Sequence, residues 1–224
     1  MIEYSFIRSR RKTIMIQIRN GEVFVRAPIN IPKRDIDSFV SSKEKWITDK
    51  LAISFEQQRC RESFQLNYGD KTLLLGVGRY ITEKGGNRAG FDGNVFYMPS
   101  SLTSEQIKDH CIRIYRRVAK AHLHERVSHY SKLMNASPLK LRINGAKTRW
   151  GSCSSKKNIN FSWRLIMADS DVIDYVVVHE LAHLTEMNHS ERFWTIVERV
   201  LPDYRQRKKR LRELQHRLAE ENWE

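Results

Sequence analysis

Apolar and polar residues alternate early in the chain. Ile14, Ile16 and Ile18 recur at a period of two, and Val23 and Val25 resume it after Asn20-Gly21, a dipeptide suited to a tight turn. The chain is therefore predicted to open with a β-hairpin. Pro32 follows where a helix can start, and Ile36, Phe39, Val40, Trp46, Ile47 and Leu51 recur at helical spacing. A helix is expected over about 33–58, bent at Ser41-Ser42. Between 64 and 97, the β-prone runs 72–75 and 79–82 are punctuated by glycines and read as short antiparallel strands.

The second half is more helical. Ser104 can cap a helix to about 133, with Ile107, Cys111, Ile114, Tyr115, Val118, His122 and Val127 as its apolar stripe. Pro138 ends that region, and strands are predicted at 139–143 and around 158–161. Asp169, Ser170 and Asp171 then supply an acidic start for a further helix. Another helix carries Phe193, Trp194, Ile196, Val197 and Val200 and stops near Pro202, leaving 205–224 as a charged tail. The pattern gives an α+β chain in two parts: a β-rich region with one helix over 1–100, and a core with the charged tail over 101–224. The alternative is that both form one compact unit.

With 224 residues, 40% of them hydrophobic, the chain can bury a core. No run of about 18 apolar residues appears and the N-terminal stretch is charged, so neither a membrane span nor a secretion signal is expected, and a cytoplasmic protein is. Cys60, Cys111 and Cys153 are odd in number and widely spaced, which suggests neither a disulfide framework nor a thiolate metal site. The net charge of +14 attracts nucleic acid, nucleotides and acidic surfaces. A basic surface that serves only solubility accounts for it equally well.

The densest chemistry lies in His179-Glu180-Leu181-Ala182-His183. Four residues advance a helix by slightly more than one turn, so both imidazoles share a face and can bind one ion. Glu180 projects beside them as a candidate general base, with zinc supplying the acidity, although another divalent metal would also suit the donors. His189 is the candidate third ligand, and Asn188 could provide a left-handed turn that brings it back. Glu186 and Glu198 are rival third ligands, and Cys153 is read as a small buried residue. Burying two histidines and a carboxylate after Val176-Val177-Val178 without a partner would be costly, which disfavours a purely structural helix. Arg149 and Arg164 are candidate substrate-binding residues for a developing oxyanion or a phosphate, and Trp150 is a candidate lining residue. The structural alternatives are a core Trp150, a bulge at Gly151 and a surface salt bridge for Arg164. His110, His122, His124 and His129 form no clear metal pair and read as a solvated or anion-facing surface.

The segment RWGSCSSKKNINFSWRLIMADSDVIDYVVVHELAHLTEMNHSERFW, with the SRRKTIMIQI hairpin, resembles the YgjP-like metallopeptidase-domain family of zincin-like proteins. The resemblance implies a zincin-like core, a sheet edge beside the HExxH helix, with His179, His183 and His189 as ligands and Glu180 as base. At the core it extends to SprT-like proteases that act on DNA-bound proteins, and some relatives are labelled UTP pyrophosphatases. Three functions follow: a zinc peptidase acting on peptide or protein, a metal-dependent nucleoside triphosphate pyrophosphohydrolase, and a basic nucleic-acid-binding module with structural zinc. No GxxxxGK[ST] phosphate loop supports the second.

Overall fold

Val23, Val25 and Ala27 point to one side of a three-stranded sheet in the computed structural model, which describes residues 2–19 and 21–223. Its strands are β1 (Ser5–Ser9), β2 (Met15–Arg19) and β3 (Glu22–Pro28), ordered β1-β3-β2. Strands β2 and β3 form the expected antiparallel hairpin, with Gly21 at φ 76°. Asn20, expected beside it in the turn, lies outside the described residues. Strand β1 was not expected: its SFIRS residues are mostly exposed, so it has no buried alternation to read, yet it pairs parallel to β3. Helices α1 (Lys33–Ser42) and α2 (Glu44–Ser63) meet at Lys43, close to the predicted bend. Ile36, Val40 and Ile47 complete a core with the sheet. The segment up to Phe64, with Leu218–Asn222, is one compact unit.

The second unit runs from Gln65 to Arg217 and includes Trp223, so the division falls near 64 rather than 100. Strands β4 (Lys71–Leu74), β5 (Val77–Glu83), β6 (Gly90–Phe91) and β7 (Phe96–Met98) belong to it, ordered β4-β5-β7-β6. They are not all antiparallel. The excursion through β6 lets β7 return parallel to β5. This sheet packs on helix α3 (Ser104–Met134), where the Tyr115 hydroxyl donates to the Leu73 carbonyl at 2.7 Å and Phe96 meets the Tyr115 ring edge-on.

Thr103, rather than Ser104, caps α3 through reciprocal bonds with Gln106, while Ser104 Oγ accepts from the Leu66 N–H. Ala119, Leu123 and Tyr130 fill the buried stripe, and Val118 and His122 are only partly buried. A third sheet has the order β8-β10-β9, from β8 (Lys140–Asn144), β9 (Gly151–Cys153) and β10 (Asn158–Ser162), which places β9 at an edge. After a 3-10 turn over Trp163–Met167 comes α4 (Ser170–Ala182), buried nearly all round. Arg126 of α3 grips Asp174 of α4 with two bonds of 2.6 and 2.9 Å.

Helix α5 (Glu191–Val200) matches its prediction, but the expected charged tail is mostly a further helix, α6 (Tyr204–Leu218). Charge obscured it: some of its arginines face acids on other elements, as when Arg210 pairs with Asp169 and Asp171. Trp223 beyond it is buried against Tyr115 and Trp163. Among the described residues no helix is long and apolar enough to cross a membrane.

Candidate metal centre

His179 and Glu180 lie in the last turn of α4, and His183 follows as its C-cap with right-handed backbone, so the four-residue spacing keeps both imidazoles on one face. Beyond it the chain continues in right-handed turns, Leu184 N–H bonding Leu181 O and Glu186 N–H bonding Ala182 O. Asn188 is not among the residues with positive φ, so the left-handed turn expected there is not used. Ser190 then caps α5 by accepting from Phe193 N–H. This path brings His189 Nε2 to 3.0 Å from His179 Nε2, and one nitrogen of each of His179, His183 and His189 falls within 4.8 Å of the others.

The imidazoles are suited to a cation. His183 Nδ1 lies 3.1 Å from the Glu186 carbonyl, to which an Nδ1–H donates, and this contact orients the ring. Burial, then the positive fields of His183, His189 and Lys208, holds His179 down at about 3. His189 is lowered as well, mainly by desolvation. Three imidazoles with convergent nitrogens are a donor set that could hold a zinc ion while keeping a position open. Phe193 is fully buried and places its ring within 4.9 Å of all three histidines. Neither rival acid joins them: Glu186 contributes only its backbone carbonyl, and Glu198 pairs with Arg205. Cys153 is half-buried with a thiol pushed up by burial and lies outside this donor group.

Glu180 is 5% exposed, and burial raises its carboxyl to about 8 against an opposing pull from Arg149. Gly151 makes that burial possible. A β-carbon there would stand 2.5 Å from Glu180 Oε1, so β9 can lie against α4 only without a side chain at this point. Gly151 is not a bulge, since it pairs in register with Phe161.

The structure separates the other candidates. Arg149 is exposed yet close enough to act on Glu180, and Trp150 is half-buried rather than core. Arg164 donates to the carbonyls of Gly145 and Trp223 and lies over the Trp163 ring. On α3, His122 is half-buried and lowered by desolvation, which departs from the solvated surface expected for it. Sequence reasoning missed Gly151 as the partner of Glu180 and Lys208 as a charge near the three histidines. It also missed Trp194, whose ring stacks on His189 at 5.7 Å. Position after His189 hinted at Phe193 and Trp194, but no local pattern reveals Lys208.

A helix-borne histidine pair, a third histidine from the following turn and a buried glutamate between them define a metal-dependent hydrolase. The chain belongs to the YgjP-like family: the model described as YgjP-like, metallopeptidase domain, matches residues 12–214. No curated protein matches the chain. Among solved structures, the metallopeptidase zymogen of Pyrococcus abyssi abylysin is 24% identical with a TM-score of 0.38, over 45% of this chain and 97% of that one.

Proposed function

We propose that the protein is a zinc peptidase in which His179, His183 and His189 hold the ion and Glu180 is the general base. The observation that carries this reading is geometric: the Glu180 carboxyl is buried on the helix that presents His179 and His183, whose nitrogens converge with that of His189. Zinc, when bound, supplies Lewis acidity and lowers the pKa of water at the site. Glu180 takes a proton from the attacking water and delivers it to the leaving amide nitrogen. The free edge of β9 pairs with an extended substrate backbone and sets the scissile carbonyl beside that carboxylate. Arg149, at the start of this edge, opposes negative charge as it develops on the substrate. Its three free cysteines suit a cytoplasmic setting.

The test compares zinc-loaded wild type with Glu180→Gln on unfolded protein and peptide pools. The variant is expected to keep its zinc and to lose activity by about 10²–10⁴-fold. Retained cleavage would remove Glu180 from the mechanism. Release of pyrophosphate from UTP that depends on Glu180, with no peptide cleaved, would replace the peptidase reading by a nucleotide pyrophosphohydrolase.

A further inference from the structure

Next to the histidines, α5 and α6 flank an open pocket of about 310 Å³ lined by Trp194, Tyr204, Arg205, Lys208, Lys209 and Arg212, with Arg205, Lys209 and Arg212 exposed. Its wall is shared with the metal centre, because Trp194 lies 5.7 Å from the His189 ring, 5.9 Å from the His179 ring and 5.2 Å from Tyr204.

The charges of α6 do not balance locally. Arg205 pairs with Glu198, Arg207 with Asp203, and Arg210 with Asp169 and Asp171. Lys209 reaches Glu213 only at 4.0 Å. Lys208 and Arg212 have no carboxylate partner among the described residues. They stand one helical turn apart, a spacing at which like charges destabilise a helix, and both line this pocket. Lys208 is partly buried, its ammonium 4.6 Å above the Trp194 ring, and its field reaches His179 and His189. A cation held there opposes a metal ion at the histidines, and an anion in the pocket relieves both repulsions.

We propose that this pocket is a substrate subsite that takes the carboxylate of an acidic residue close to the scissile bond of a peptide. The inference rests on the peptidase reading and names its substrate class. Trp194 already packs against His189, Tyr204 and Lys208, so the pocket presents cations and no free aromatic platform for a nucleobase. A carboxylate needs only the cations.

The test uses zinc-loaded full-length protein and peptides in which one Glu is moved through successive positions, each matched by its Gln isostere. Binding is read by calorimetry on Glu180→Gln, and cleavage on wild type. At one or two positions Glu is expected to bind about tenfold more tightly than Gln. That preference should fall to within about twofold in the double variant Lys208→Gln, Arg212→Gln, with zinc content and Tm retained. Lys208→Arg should preserve it. Cleavage by wild type with no preference for Glu at any position would overturn the subsite and leave the peptidase standing. A binding preference in Glu180→Gln without cleavage by wild type would remove the peptidase and overturn the pocket as a substrate subsite, leaving a site that only binds acidic peptides. A preference that survives the double variant, or binding of UTP to this pocket in place of the acidic peptide, would overturn the inference.

Discussion

Gly151 and Glu180 touch across the junction of β9 and α4 so closely that a β-carbon on the glycine would lie 2.5 Å from Oε1 and 2.6 Å from Cγ of the glutamate. The strand edge and the candidate base are thus held in one place by the absence of a side chain. The same approach strips water from the carboxyl and lifts it to about 8.

Gly151→Ala tests that contact. The backbone at Gly151 is not left-handed, so alanine is sterically admissible there apart from the contact with Glu180. Peptide cleavage should fall by roughly 10–100-fold with zinc content unchanged, and stability should drop by about 1–3 kcal/mol as Glu180 is displaced. Parallel kinetics and urea denaturation check this. Activity within about twofold of wild type would show that the base does not depend on this approach.

Zinc affinity should depend weakly on pH. A histidine lowered in the folded protein remains neutral as pH falls through its ordinary range, so protons compete with the metal only further into acid. His179 is held at about 3 and His189 is lowered too. Between about pH 7.5 and 5.5 the affinity, read against a competing chelator, should change by less than roughly tenfold. A loss steep enough to need two protons per ion would show that both ligands titrate near the ordinary value of 6.5.

The Arg126–Asp174 pair should anchor the metal-bearing helix. Asp174 also accepts from the Tyr130 hydroxyl at 3.0 Å, and both charged side chains are largely buried. Asp174→Ala leaves the guanidinium without its carboxylate and should cost about 2–4 kcal/mol by urea denaturation. The double variant Arg126→Met, Asp174→Leu should recover most of that loss. A single-variant cost below about 0.5 kcal/mol would mean that packing alone holds α4.

Local periodicity made much of the fold legible. The alternation in 14–25 marks the β2–β3 hairpin, helical spacing marks α3, α5 and the α1–α2 stretch as one bent helix, and an acidic start marks α4. Strand β1 stayed hidden because a mostly exposed strand carries no alternation, and α6 because it reads as a run of charge, of which Arg210 finds its acids, Asp169 and Asp171, only before and within α4. The parallel pairing of β5 and β7 depends on the path through β6, which no run of residues announces. Arg164 reads in sequence as a candidate anion binder, yet its guanidinium bonds the carbonyl of Trp223, 59 positions away.

The sequence by itself determined the candidate donors: two histidines four apart with a glutamate between them, and a third histidine six residues on. Bonded geometry on a helix is enough to place the first two imidazoles and the carboxylate on neighbouring faces. Tertiary structure alone decided the 3.0 Å approach of His189 to His179, the burial of Glu180 under Gly151 and the nearness of Lys208. Desolvation and electrostatic fields act through space, so they are set by segments that meet only when the chain has folded.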